Sequence, residues 1–243
     1  MNTAMKIRPR AFKAGPLVTL DMRLDRGFMS GVLVQDRSLA ANHGTAAGGS
    51  NLPIPQYPGF LFDQSDNQSI GASDVLTGNV YPYTFAAWVK YSGADAERCI
   101  LSLGEAASVH HCTLKTYTNE YGCTGRDKDA GMPDTGSCLT SGGAIEADVW
   151  KCLTVVCPAD GPDGVSVDWS VYLNGVEDSN VQTGRTFDFA LYCDNWKIGD
   201  GADSTPNGNP WNGVIGEVVF ERRSWSAAEA KGYFERTKRF YGV

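Results

Sequence analysis

The chain has 243 residues and a net charge of −7, and its hydrophobic, aromatic and charged fractions are 42%, 11% and 20%. That composition supports a sizeable buried core and excludes a disordered chain. The acidic balance argues against a general nucleic-acid binder, which needs a basic face to neutralise phosphates, and no apolar run reaches the roughly 18 residues of a membrane-spanning helix.

The chain opens on a basic segment. Residues 1–14 hold Lys6, Arg8, Arg10 and Lys13 and no acid, which leaves −11 on the remainder of a chain whose total is −7. A basic arm, residues 1–16, on an acidic body reads as a segment that docks on a partner. Lys13, Gly15 and Pro16 interrupt Ala11–Leu20, where a secretory signal needs an apolar stretch of roughly 7–15 residues. Assembly in the cytoplasm is therefore expected. The seven cysteines, Cys99, Cys112, Cys123, Cys138, Cys152, Cys157 and Cys193, are an odd set that reads as buried free thiols in a reducing compartment. A Cys123–Cys138 disulfide stays open for an oxidising setting.

Beyond the arm, residues 17–243 read as one domain. Short apolar runs are punctuated by 28 glycines and 11 prolines. Strands are predicted over Thr84–Tyr91, Cys99–Leu103, Cys112–Tyr117, Trp150–Val156, Ser166–Leu173, Trp196–Ile198 and Gly213–Phe220. In the first of these, Phe85, Ala87, Val89 and Tyr91 share one face, and Thr84, Ala86, Trp88 and Lys90 the other. Asn174-Gly175 marks a two-residue hairpin, because both residues accept positive φ. Asn212-Gly213 precedes the last strand. Glu120–Ala147, with six glycines, reads as a long loop of the kind that is functional or inserted. Ser226 and Glu229 fit a capping box that starts a helix over 226–240, with Tyr233, Phe234, Thr237 and Tyr241 as its docking stripe. Many short strands at this spacing indicate an all-β sandwich or barrel.

These pieces, in this order, resemble the laminin-G-like, concanavalin A-type jelly roll of many bacterial and phage proteins. The resemblance begins at Asp36-Arg37-Ser38 with Asn42-His43-Gly44-Thr45, and continues at Phe62-Asp63-Gln64-Ser65-Asp66. It takes in Phe85-Ala86-Ala87-Trp88-Val89, Ile100-Leu101-Ser102-Leu103-Gly104 and Trp150-Lys151-Cys152-Leu153-Thr154-Val155. It ends with Tyr172-Leu173-Asn174-Gly175, Trp211-Asn212-Gly213-Val214-Ile215-Gly216-Glu217-Val218 and the Ser226–Glu229 box. Gln64 stands where the family often has glycine, Gln68 or Ser69 where it often has an aromatic, and Gly216 where it usually has an acid. If that acid helps hold calcium in relatives, the site is weakened here. The resemblance implies a two-sheet jelly-roll sandwich and, in phage proteins, exposure on the virion as a capsid decoration, head fibre or tail fibre. Fold alone does not fix function.

The chemistry-bearing residues are few. A retaining glycosidase needs two carboxylates roughly 5–5.5 Å apart. Glu146 and Asp148 form one alternating pair without a third acid, while Glu217 and Glu221 stand about 13 Å apart on one strand. The chain is therefore read as non-enzymatic, with no catalytic residues. His43, His110 and His111 lack a nucleophile in an active-site pattern, and Cys152 and Cys157 lack the second pair of a zinc site. Asp200, Asp203, Asn207 and Asn209 form an oxygen-rich loop that suits calcium at Asp200 and Asp203; Asp127 and Asp129 offer a second such loop, and ordinary turn chemistry explains both equally. Trp196 and Trp211 flank the first loop, so Trp196, Asp200, Asp203, Asn207, Asn209 and Trp211 form the candidate ligand site, a flat aromatic face with polar partners. Core packing is the competing reading of both rings.

Two functions follow. The first is a virion structural or interaction protein, homo-oligomeric, bound to other capsid or tail proteins through Lys6, Arg8, Arg10 and Lys13. The second is a calcium-dependent carbohydrate-binding adhesion module, extracellular, for host surface glycans. They are compatible, and a polysaccharide hydrolase is the less favoured third.

Overall fold

Both faces of the strand Tyr83–Tyr91 are buried in the computed structural model. Tyr83, Phe85, Ala87, Val89 and Tyr91 enter one apolar cluster, and Ala86 and Trp88 enter another. This strand is thus the middle layer of three, and the split of its side chains follows the predicted alternation. The structure describes residues 18–23, 32–37, 41–72, 82–93, 96–104, 111–127, 134–157, 166–178, 183–185, 195–201 and 209–243. The expected basic arm, with Lys6, Arg8, Arg10 and Lys13, lies outside them, as do Ser38, His110, Asp129, Cys193, Asp203 and Asn207.

In chain order the strands are β1 (Val18–Arg23), β2 (Leu33–Val34), β3 (Gly44–Ala47), β4 (Ile54–Gln56), β5 (Gly59–Phe62) and β6 (Ser69–Ala72). There follow β7 (Tyr83–Tyr91), β8 (Arg98–Gly104), β9 (His111–Tyr117), β10 (Glu120–Asp127), β11 (Asp134–Leu139) and β12 (Trp150–Cys157). The last are β13 (Ser166–Asp168), β14 (Ser170–Leu173), β15 (Val176–Glu177), β16 (Thr183–Arg185), β17 (Asn195–Ile198) and β18 (Gly213–Glu221), before helix α1 (Ala227–Thr237). The first sheet runs β15-β14-β12-β7-β18-β5-β4, with β1 also on β18. The second runs β11-β10-β9-β8-β17-β6-β3-β2, and β13 pairs with β16 separately. Every described pairing within the two sheets is antiparallel. The architecture is the expected all-β two-sheet jelly-roll sandwich with one short C-terminal helix.

The first sheet brings Phe60, Phe62, Phe85 and Phe220 to the core between the sheets, and the second brings Leu101, Leu103, Leu114 and Ile198 together with Tyr121 and Trp196. Predicted Ser166–Leu173 is broken at Trp169, whose buried ring occupies the gap between β13 and β14. Asn174 and Gly175 have φ of 53° and 74°, so the β14–β15 hairpin takes the expected turn. All six described cysteines are buried, and no disulfide joins any two of them.

The expected loop Glu120–Ala147 is instead largely a hairpin, β10 with β11. Tyr121, Cys123 and Cys138 alternate into the core, but cysteines among glycines do not read as an apolar strand. Gly122 has a packing reason: a Cβ there would stand 2.1 Å from the Cys138 carbonyl oxygen. Edge strand β4 is exposed and contains Pro55, which withholds a donor from incoming strands.

Helix α1 covers the outer face of the first sheet and seals the second cluster through Ala230 and Tyr233, joined by Tyr241 of the segment that follows it. Its start is the predicted capping box: the Ser226 hydroxyl accepts from the Glu229 amide, and the Glu229 carboxylate accepts from the Ser226 amide at 2.8 Å. Arg223 bridges Glu229 at 2.6 Å and the buried Glu221 at 2.7 Å. The Ser226 amide and, secondarily, Arg223 hold the Glu229 carboxyl below its ordinary value. A depressed carboxyl contributes stability above its unfolded value and loses it as pH falls through the folded one. The urea midpoint should therefore drop more steeply below pH 4.5 in the wild type than in Glu229→Gln, since 4.5 is the ordinary value; parallel pH profiles would refute the link.

Candidate functional site

Register on the second sheet places polar side chains in one line on its outer face. Thr45 pairs with Gly71, Gly71 with Lys197, Lys197 with Ser102, Ser102 with Thr113, Thr113 with Thr124, and Thr124 with Ser137. Their neighbours along the strands, Ile70, Ile198, Leu101, Leu103, Cys112, Leu114 and Cys123, all enter the core. The line is most enclosed at its centre, where Ser102 is 1% and Thr113 4% exposed, and opens toward Thr45 on one flank.

Buried polar groups are normally paired. Ser102 and Thr113 share a hydroxyl–hydroxyl bond of 3.0 Å. Next to them, Thr124 Oγ1 is buried without a hydrogen-bond partner. So is Asn195 Oδ1, two residues before Lys197 and therefore on the same face. Lys115, two residues beyond Thr113, is ion-paired to Glu97, and its ammonium lies 5.5 Å from the centre of the Tyr117 ring. Tyr117 is 45% exposed at the end of β9, opposite Glu120. Lys197 pairs with Asp200 at 3.7 Å. The face thus combines an open aromatic ring, two ion pairs, hydroxyls and two unpaired neutral oxygens. That inventory suits hydrogen bonding to hydroxyl-rich ligands.

The predicted site residues are divided by the fold. Trp196 and Trp211 are 0% exposed and belong to the core between the sheets, so neither ring presents a flat face to a ligand. Asp200 sits at the rim of the polar face, tied to Lys197. Asn209 approaches it too: its carbonyl accepts from the Cys99 amide at 2.7 Å, and Cys99 pairs with Lys115. Asp203 and Asn207 fall outside the described residues, and with them the calcium expectation. Among the described residues, no three His, Cys, Asp or Glu side chains converge to hold a metal ion. Gly216, the position where the resemblance leads one to expect an acid, lies beneath the Tyr241 ring; a Cβ would stand 2.5 Å from that ring.

The carboxylates weighed for glycosidase chemistry are engaged elsewhere. Glu146 pairs with Lys151 at 3.1 Å, Asp148 accepts from Ser92 Oγ at 2.7 Å, and Glu221 is buried under Arg223 and Trp225. The cysteines are equally occupied. Cys112 and Cys123 touch at 3.3 Å and Cys123 faces Cys138 across β10 and β11, while burial pushes the Cys123, Cys152 and Cys157 thiols well above their ordinary range. Such thiols are poor nucleophiles.

Sequence reasoning missed Thr113, Lys115, Tyr117, Thr124 and Asn195 as site residues. The signal was present in β9, where Thr113, Lys115 and Tyr117 alternate with Cys112, Leu114 and Thr116.

Comparisons with known proteins bear on the fold. No curated protein sequence matches the chain. Among solved structures, domain 4 of AbnA, a GH43 extracellular arabinanase from Geobacillus stearothermophilus in complex with arabinotriose, aligns with a TM-score of 0.56 at 16% identity, over 89% of this chain and 97% of that one. The botulinum neurotoxin serotype D binding domain aligns with a TM-score of 0.62 at 14% identity, over 90% of this chain and 52% of that one. The binding domain of botulinum neurotoxin DC, in complex with SialylT, gives 0.58 at 11%, over 90% and 51%. The chain thus spans about half the length of the toxin domains, and at these identities the likeness is one of fold. The profile Laminin_G_3 matches residues 62–231, so the chain belongs to the concanavalin A-like lectin/glucanases superfamily.

Proposed function

We propose that the chain is a non-enzymatic glycan-binding module that takes its ligand on the outer face of the second sheet. The observation that carries this reading is the pair of buried, unpartnered oxygens, Thr124 Oγ1 and Asn195 Oδ1, on one polar face. An unsatisfied buried acceptor costs about 1–3 kcal/mol, and a ligand hydroxyl can satisfy it. Tyr117 supplies the apolar surface against which a sugar ring packs. The arabinotriose complex of the similar arabinanase domain lends support. On a glycan array, the full chain should bind a defined subset of saccharides, and Tyr117→Ala should weaken that binding about tenfold, equivalent to about 1.4 kcal/mol. Because Tyr117 is exposed, its loss should leave the urea midpoint within about 0.5 kcal/mol of wild type. Binding that Tyr117→Ala leaves unchanged would move the site elsewhere.

A second reading concerns where the module works. We propose that it is a virion component, assembled in the host cytoplasm and displayed on a capsid or tail, with residues 1–14 as its tether and a homo-oligomer as its working state. Burial of Cys112, Cys123, Cys152 and Cys157 without a disulfide among them supports assembly in a reducing compartment, and the four uncompensated basic residues support docking on an acidic shell. In size-exclusion chromatography with light scattering, deleting residues 1–14 should leave a folded domain but abolish assembly. A truncated protein that still assembles would sink the tether.

A further inference from the structure

Resting on that glycan reading, we infer that the outer face of the second sheet selects uncharged saccharides and rejects acidic ones. The observations concern which groups on the face lack a partner within the protein. The two lysines of the face each have an acid beside them: Lys115 has Glu97, and Lys197 has Asp200 at 3.7 Å. The unmet hydrogen-bonding capacity belongs to neutral atoms, Thr124 Oγ1 and Asn195 Oδ1. Asn195 Oδ1 is an acceptor only, so it calls for a donor, which a hydroxyl provides and a carboxylate does not.

Charge points the same way. Each lysine sits with one acid, so the paired groups sum to zero, and β10 adds one charge of each sign to the same face, Glu120 opposite Tyr117 and Arg126 opposite His111. The chain as a whole carries −7. A carboxylate-bearing or sialylated ligand at either lysine meets, as a like charge, the acid already beside it, Glu97 or Asp200. A neutral ligand leaves both ion pairs in place, and each pair offers a donor and an acceptor to adjacent hydroxyls. Register also sets the reach. Lys197 and Lys115 lie two strands and one two-residue step apart, about 12 Å, which a short oligosaccharide spans.

The test is affinity electrophoresis of the full chain, and of Tyr117→Ala and Thr124→Val, through gels containing either neutral polysaccharides (arabinan, xylan, mannan, dextran) or acidic ones (polygalacturonate, hyaluronate). At least one neutral polymer should retard the wild type, with retardation falling about tenfold in Tyr117→Ala and several-fold in Thr124→Val. The neutral-polymer dissociation constant should change less than about twofold from low to high salt, because screening acts on charge–charge attraction. Retardation by acidic polymers alone, weakening with salt and lost in Tyr117→Ala, would overturn the neutral-ligand inference while keeping the glycan site. No retardation by any polymer, or retardation indifferent to Tyr117→Ala, would overturn the glycan reading itself and the inference with it.

Discussion

Trp88→Ala should cost about 3–5 kcal/mol, the range for deleting a fully buried large aromatic, and should loosen the C-terminal helix from the sandwich. Trp88 projects from the central strand β7 away from the inter-sheet core. Its ring stacks on Tyr241 at 4.2 Å and on Phe234 at 5.8 Å. Its indole N–H donates to Thr237 Oγ1 at 2.8 Å, and that hydroxyl donates in turn to the Tyr233 carbonyl. One side chain therefore links a strand, the last turn of α1 and the segment after it. Truncation leaves a cavity and an exposed helix seam together. For a domain of this size the melting temperature should fall by about 10 °C, and trypsin should cut at Lys231 or Arg236 sooner than in wild type. Trp88→Phe, which keeps an aromatic ring but no donor, should fall between the two. An unchanged urea midpoint in Trp88→Ala would mean that the helix contributes little to the fold.

The first sheet was legible because β7, β12 and β18 carry apolar residues on both faces or in strict alternation, and the capping box is a local signature that needs no tertiary context. The β10–β11 hairpin was not legible. Its inward residues are one tyrosine and two cysteines, and its outward Gly122 is small because Leu139 and the Cys138 carbonyl occupy the space a side chain would take. That reason exists only once β11 has paired. Gly216 is similar: its lack of a side chain admits the ring of Tyr241, 25 residues later in the chain, and Tyr241 Oη then accepts from the Glu217 amide at 2.8 Å.

The site was legible in part. Trp196 and Trp211 beside Asp, Asn and Gly look alike whether the rings face a ligand or the core. The four-residue strand β17 resolves the matter by alternation: Trp196 and Ile198 turn inward, which sends Asn195 and Lys197 outward. The sequence reading took the aromatic of this strand for the site. Its polar residues are the ones on the outer face, where Asp200 lies beside Lys197.

Gly213→Ala should destabilise the protein by at least about 3 kcal/mol, because two separate penalties fall on one position. Asn212-Gly213 looks in the sequence like a turn ahead of a strand, but Gly213 is already the first residue of β18. It pairs with Tyr91 on one side and Phe62 on the other, and its φ is +132°, a conformation that residues with a Cβ rarely adopt. A Cβ there would meet the Lys90 carbonyl oxygen at 2.2 Å, the Ser92 nitrogen at 2.9 Å and the Tyr91 Cα at 3.1 Å, all backbone atoms. None of these can swing aside as a flexible side chain could. Relief requires β18 to shift against β7, disturbing the Ser92 amide bond to the Asn212 carbonyl and the packing of Trp211 on Tyr91. Gly142 is the control, since a Cβ at that position meets nothing within 4 Å. Gly142→Ala should shift the urea midpoint by less than about 1 kcal/mol, in either direction. Equal midpoints for the two variants would show that β18 absorbs the added methyl, and that the strand's start is held by packing rather than by its backbone conformation.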